Sequence, residues 1–158
     1  MTDNTFGVID FDFDYWEGTA NITFGGKDPD ALLYVFVKED KVIDPVQYAS
    51  YARFLSRWSL IETDIWNKLL SYYQIERDTL GFSQHDNPCY PEVNTVNQLM
   101  EMVELTAVIV PTKEVCSDIY NGRCIYLAFD CSWDEENGIG IRILNEEIDD
   151  IGHQDYVF

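Results

Sequence analysis

Carboxylates are the groups in this chain whose number and spacing could do chemistry. The sequence holds 29 acidic and 10 basic residues among 158, for a formal net charge of −19. Such a charge favours cationic partners and keeps a protein soluble, whatever its fold. The candidate partner-binding residues form three acidic clusters: Asp10, Asp12 and Asp14 in the first, Asp134, Glu135 and Glu136 in the second, and Glu146, Glu147, Asp149 and Asp150 in the third.

Whether these three clusters lie close together in the fold determines whether the charge can form a binding surface. If folding brings them together, they make one surface that attracts a basic protein and speeds its association. If they scatter, the charge serves solvation, and the binding hypothesis loses its main support.

Histidine chemistry offers a weaker alternative. His85 lies in a polar loop and His153 near the C-terminus, and the GxSxG element of a serine hydrolase is absent from the sequence. We therefore predict no catalytic residue. The alternative is an uncharacterised enzyme or metal-dependent protein that uses Asp130, Asp134 and His153, and it requires these groups to meet in one pocket.

Metal and cofactor patterns are also weak. The first two acidic clusters do not have the spacing of an EF-hand, and Gly25-Gly26 lacks the following Lys-Ser/Thr of a phosphate-binding loop. We expect no cofactor and no metal site. The cysteines have no CxxC spacing and are expected to remain thiols; they are Cys89, Cys116, Cys124 and Cys131.

Several classes of function are disfavoured by charge and hydropathy. Nucleic acids and anionic membranes need clusters of Lys and Arg, which this sequence does not contain. The longest apolar runs, Ala31–Val37 and Ala107–Val110, are too short to span a bilayer. Met1–Asn4 has no feature of a signal peptide. We expect a cytoplasmic protein whose partner is a basic protein or toxin domain.

The N-terminal third predicts three strands. Aromatic residues alternate with acids between Phe6 and Tyr15, which places the two kinds of side chain on opposite faces of a strand. Thr19–Phe24 predicts a second strand after a turn at Gly18. Ala31–Lys38 is apolar on both faces, so we expect this third strand at the centre of the sheet.

Helices are predicted in the middle of the chain. Asp44 is an N-cap and Pro45 the first helical residue of a long helix to about Glu76, with a possible break near Trp58-Ser59. Apolar residues at steps of three and four give this helix one buried stripe. A short helix follows, capped by Asn94 or Thr95 and ending near residue 102.

The last third predicts strands again. Leu105–Val110 is followed by Cys124–Cys131 and Ile139–Leu144, and the last two form a hairpin through a turn that ends in Asn137-Gly138. The order of elements predicts a single α+β domain over residues 1–158. We expect a mostly antiparallel sheet with one long and one short helix packed on one side.

One segment of the C-terminal third also has a recognisable pattern. It contains Phe129, Asp130-Cys131, Trp133-Asp134, the pair Glu135-Glu136, then Gly138-x-Gly140-x-Arg142. This pattern, with Gly152-His153-Gln154-Asp155 near the end and Trp16-Glu17-Gly18 upstream, resembles the signature of a bacterial family catalogued only as a domain of unknown function. Proteins of this type look like the small acidic immunity proteins found beside secreted bacterial toxins.

The resemblance implies a non-catalytic protein-binding module, with an immunity protein that neutralises a basic toxin as its specific form. The signature itself is interpreted as structure rather than chemistry. Its glycines permit tight backbone at the turn, Trp133 packs over the hairpin, and Arg142 pairs with Asp130 or Asp134 across the strands. The oligomeric state stays open.

Overall fold

A seven-stranded sheet is the centre of the computed structural model, which describes residues 1–28 and 30–158. Strand order is β3-β4-β5-β6-β7-β8-β9, and the β5–β6 pair is parallel while the other pairs are antiparallel. β1 and β2 form a separate small sheet. The strands are β1 Thr2–Asp3, β2 Gly7–Val8, β3 Asp10–Asp12, β4 Tyr15–Thr19, β5 Leu32–Phe36, β6 Val103–Val110, β7 Cys124–Cys131, β8 Ile139–Leu144 and β9 Glu147–Gly152.

The helices confirm the predicted α+β class. They are α1 Pro45–Ser56, α2 Trp58–Thr79, α3 Val96–Met100 and α4 Gln154–Val157, with a π-helical turn at Val115–Ile119. The predicted long helix is thus divided at Arg57, close to the expected break. Asp44 caps α1 as predicted, because its carboxylate accepts a hydrogen bond from the Val46 amide at 3.1 Å. Thr95 caps α3.

The two faces of the sheet have different cover. α1 and α2 pack on the inner face, where their buried stripe includes Phe54, Ile61 and Leu69. Apolar side chains of β5, β6, β7 and β8 complete this core because every second residue of a strand points inward. The short α4, which the sequence did not predict, packs on the opposite, outer face, where Phe158 contacts Tyr126 at 5.1 Å between ring centroids.

Gln47 fastens α1 to the sheet. Its side chain is 1% exposed. The amide nitrogen donates to the carbonyls of Phe36, at 2.7 Å, and Pro111, at 2.9 Å. Its oxygen accepts from the Asp44 amide at 3.0 Å. One buried side chain therefore completes the capping box of α1 and also provides hydrogen-bond donors for the carbonyls at the ends of β5 and β6.

The hairpin prediction is confirmed at both strands, Cys124–Cys131 and Ile139–Leu144. The predictions for the N-terminal third are partly wrong. Phe6–Tyr15 is not one strand, because Phe13 adopts a left-handed φ of 54° and turns the chain between β3 and β4. Thr19–Phe24 is not a strand beyond Thr19.

Candidate functional site

Part of the outer face of the sheet, over β3 to β6, is the most distinctive surface of the molecule. Cross-strand pairs define which residues share this face. Asp12 pairs with Tyr15 and Tyr15 with Phe36 in one row. The next row runs through Asp10, Glu17, Tyr34 and Ile109, and a third joins Thr19, Leu32 and Ala107. We call these residues the open face.

Aromatic and aliphatic side chains occupy the centre of the open face. Tyr15 lies edge-on to Tyr34, with ring centroids 5.0 Å apart, and 5.4 Å from Phe36. Leu32 beside them is 39% exposed. Tyr15, Tyr34, Phe36 and Ile109 are half-buried. Solvent thus reaches apolar and aromatic side chains that would be covered in the middle of a two-sided α/β sheet.

Carboxylates border these rings on the side of β3 and β4. The Tyr15 hydroxyl lies 3.4 Å from Asp12 Oδ2, within reach of a long hydrogen bond. Burial, with the charges of Asp12 and Glu17, raises the pKa of Tyr15. Burial and the charge of Glu17 likewise raise the pKa of Tyr34. The centre of the open face therefore lies in a negative field, which disfavours a further negative charge on either phenol.

Basic residues are missing from the outward positions of β3 to β6, where each residue is acidic, apolar, aromatic or a threonine. The amino terminus lies 3.7 Å from Asp10 and partly balances it. Glu17 makes no ion pair within 4.0 Å in the described part of the chain.

The three acidic clusters do not converge. The first belongs to β3 and the turn after it, at one edge of the sheet, and the third lies on and just before β9, at the other edge. Six strand spacings separate these edges, which is about 29 Å. The second cluster occupies the β7–β8 turn. No single surface holds all ten predicted candidates.

The third cluster is also partly neutralised within the chain, since two arginines pair with three of its four carboxylates. Arg123 forms a bidentate salt bridge with Glu146, in which Nε and Nη2 donate to the two carboxylate oxygens at 2.6 and 2.9 Å. Arg142 donates to Asp149 at 2.6 Å and to Asp150 at 3.4 Å. The predicted pairing of Arg142 with Asp130 or Asp134 is wrong, because residue 142 lies opposite Tyr126 on one side and Asp150 on the other.

Asp134 and His153 meet, but Asp130 stands apart from them. His153 Nε2 lies 3.3 Å from Asp134 Oδ2 and 3.6 Å from Glu76 Oε1. Trp133 Nε1 donates to the other oxygen of Glu76 at 3.2 Å. Asp130 is exposed and lies opposite Glu104 on the outer face.

An enzyme that used all three predicted residues together would thus need a different arrangement. The polar contacts of the His153 imidazole in the described chain join it to carboxylates alone, which orient a base without supplying a nucleophile. A cavity of about 430 Å³ beside Asp130 is lined by Lys27, Glu101, Glu104 and Glu135. Over residues 1–28 and 30–158, no group of three His, Cys, Asp or Glu side chains is arranged to hold a metal ion.

The two C-terminal segments that carry the resemblance contact each other. Gln154 donates to the carbonyl of Phe129 at 3.1 Å. Gly138 makes this possible, since its φ is +58° and a Cβ there would lie 2.5 Å from Gln154 Nε2 and 2.7 Å from that carbonyl oxygen. Arg142 donates to the Val157 carbonyl at 3.2 Å. These residues fasten α4 to the β7–β8 hairpin, which is a structural role.

Sequence reasoning missed the aromatic half of the open face. The sequence places Tyr34 and Phe36 in a central strand that is apolar on both faces, and β5 does lie inside the sheet, but this pattern does not indicate that one face is open to solvent. The signal that could have found them is residue type: two of the three outward residues of β5 are aromatic, whereas its buried inward residues, Leu33 and Val35, are aliphatic.

Comparison with known proteins identifies a family and no close relative. A family model described as a domain of unknown function (DUF6985) matches residues 5–158. No curated protein and no solved structure matches the chain. Throughout the described residues, none of the helices combines the length and the apolar character needed to cross a bilayer.

Proposed function

We propose that this chain, which belongs to the DUF6985 family of domains of unknown function, is a non-catalytic module that binds a basic protein. The observation that supports the proposal is the open face, where half-buried rings lie beside carboxylates and none of the outward residues of β3 to β6 is Lys or Arg. Tyrosine is enriched among the residues that dominate binding energy at protein interfaces. The acidic border would steer a cationic partner toward those rings.

A second copy of the chain is a poor occupant of the same face. Two copies that met there would bring Asp12 and Glu17 of one toward the equivalent carboxylates of the other, at a net charge of −19 each. Like charges brought together in this way oppose association. The same charges favour a partner that carries Lys and Arg.

Addition of a partner strand to a sheet edge is also disfavoured. β3 has three residues, which gives few backbone bonds to a new neighbour. At the other edge, Asp150 Oδ1 accepts from the Ile151 amide at 2.9 Å, and acids line the strand. Short and acidic edges are a known protection against edge-to-edge pairing.

The biological form that fits such a module is an immunity protein, made in the bacterial cytoplasm to neutralise a basic toxin. Support comes from the charge of the chain and from the resemblance of its C-terminal third to that class.

The test is to coexpress the chain with the product of the neighbouring gene, purify the complex and measure association kinetics at low and high salt. We expect a complex whose association rate falls steeply as salt rises. Failure to form a complex, or a salt-independent rate, would contradict the proposal.

Two charge reversals make that test specific for the open face. Glu17→Lys and Glu147→Lys change the net charge equally, but residue 17 lies on the open face and residue 147 on the opposite edge strand. An exposed ion pair contributes about 0.2–1 kcal/mol, and reversal replaces attraction by repulsion, so we expect affinity to fall about two- to thirtyfold for Glu17→Lys. Equal losses for both variants would show that the partner responds to overall charge and not to this face.

A further inference from the structure

The outer face of the sheet carries the same kind of contact site twice, and one of the two already contains an arginine. A single cross-strand row joins Glu17, Tyr34, Ile109, Tyr126 and Arg142. At the β8 end of this row, the chain supplies its own cation. At the β4 end the row holds no Lys or Arg, and the amino terminus lies beside Asp10, the neighbour of Glu17 in the row.

The β8 end shows how this protein holds a guanidinium. Arg142 Cζ lies over the ring of Tyr120, 4.8 Å from its centroid. Its nitrogens donate to Asp149 at 2.6 Å, to Asp150 at 3.4 Å and to the carbonyl of Val157 at 3.2 Å. A tyrosine ring below and carboxylates at the rim therefore surround the planar group, which is the geometry that suits arginine.

The β4 end offers the same components without an arginine. Glu17 lies directly opposite Tyr34 across the β4–β5 pair, and the Tyr15 ring stands edge-on to that of Tyr34. Glu17 acts on both phenols, since its charge contributes to the raised pKa of each. The rings are half-buried, so each has a supported position and a part open to solvent.

We propose that the open face selects an arginine of its partner, whose guanidinium stacks on Tyr34 and pairs with Glu17. The inference rests on the proposed function and narrows the class of partner. The basic protein would present an arginine, rather than a lysine, to Tyr34 and Glu17. A guanidinium can stack through its flat face while its edge donates two parallel bonds to a carboxylate. A lysine ammonium can pair with Glu17 but is strongly hydrated and has no flat face to lay on the ring.

Two fluorescent peptides of equal length and charge test this selection. One has arginines and the other lysines at the same positions, separated by glycines, and their affinities for the full chain are measured by fluorescence anisotropy at low salt. A cation–π contact at an exposed site corresponds to a preference of about two- to fivefold. We expect the arginine peptide to bind more tightly by that factor.

Variants locate the preference. Tyr34→Leu keeps apolar bulk and should abolish the difference between the peptides while both still bind. Glu17→Gln should weaken both peptides, whereas Glu147→Gln, the matched control on the opposite edge, should leave the preference unchanged. Circular dichroism and thermal unfolding confirm that each variant is folded before its affinity is compared.

The outcomes separate this inference from the proposed function. Equal affinity for the two peptides, or a preference that survives in Tyr34→Leu, overturns arginine selection and leaves the binding module intact. No binding of either peptide to the wild-type chain also overturns it, and the coexpression experiment then decides the proposed function separately. An arginine preference that is lost in Tyr34→Leu alone supports the inference.

Discussion

Replacement of Gly138 by alanine should destabilise the protein more than the same change at another glycine of similar backbone conformation. At +58°, φ of residue 138 lies in the left-handed region, which costs a residue with a Cβ about 1–2 kcal/mol. The added Cβ would also lie 2.5 Å from Gln154 Nε2 and 2.7 Å from the Phe129 carbonyl oxygen. Such overpacking adds about 1–3 kcal/mol, so we expect a total near 3 kcal/mol.

Gly26 provides the matched control for that substitution. Its φ is +72°, but an added Cβ would have nothing within 4 Å. Gly26→Ala therefore measures the cost of the left-handed backbone conformation alone, and we expect it to lower the free energy of unfolding by about 1–2 kcal/mol. Equilibrium urea unfolding, followed by tryptophan fluorescence, gives both values. Equal losses for Gly138→Ala and Gly26→Ala would refute the idea that close contact with Gln154 and Phe129 fastens α4 to the hairpin.

Three further predictions concern the core and its titratable groups. Gln47→Ala should lower the free energy of unfolding by about 2–4 kcal/mol, because it leaves the buried Pro111 carbonyl and the partly buried Phe36 carbonyl without a donor. Gln74→Ala at the exposed surface should cost under about 1 kcal/mol. In the native protein, Cys89 alone should react quickly with a thiol reagent, and all four cysteines should react in denaturant; more than one fast thiol would contradict the burial of the others. Burial raises the pKa of Tyr51 and of Tyr72 to about 12. Between pH 10 and 12 these phenols ionise in the unfolded chain before they ionise in the folded one, so their contribution to the free energy of unfolding should be constant below pH 10 and fall over this interval. A midpoint of urea unfolding that does not change between pH 10 and 12 would contradict this prediction.

The hairpin was predictable because local rules and tertiary structure agree there. Residues of β7 and β8 alternate between the core and the outer face, and the turn between them ends in Asn137-Gly138, a strong hairpin signal. α1 was predictable for a similar reason, since Asp44 and Pro45 specify its start without help from distant parts of the chain.

The N-terminal third could not be predicted in the same way, because distant contacts determine its shape. Phe13 takes a left-handed conformation, for which an aromatic residue gives no signal. Gly18, which the sequence indicates as a turn, lies inside β4, where a Cβ would be 2.8 Å from the Val8 carbonyl oxygen. Ile22 and Phe24 alternate inward as a strand would, but among the described residues their one strand-like pairing is an isolated bridge between Phe24 and Lys27.

The open face can be recognised only once the order and register of the strands are known. Glu17 and Tyr34 belong to segments with no common motif, and they become neighbours only through the β4–β5 register. The acidic clusters were visible in the sequence, but their separation at opposite edges of the sheet was not. Composition therefore predicts a cationic partner, and only the fold identifies the face on which we propose that such a partner binds.

The most direct test of that location is NMR chemical-shift mapping on the isotope-labelled chain as the arginine peptide is added. Binding at the open face predicts that the amide signals of Tyr15–Thr19 and Leu32–Phe36 shift together and saturate together. Shifts confined to the β7–β8 turn or to Glu147–Gly152 would place the cationic partner on the other acidic clusters and contradict the account.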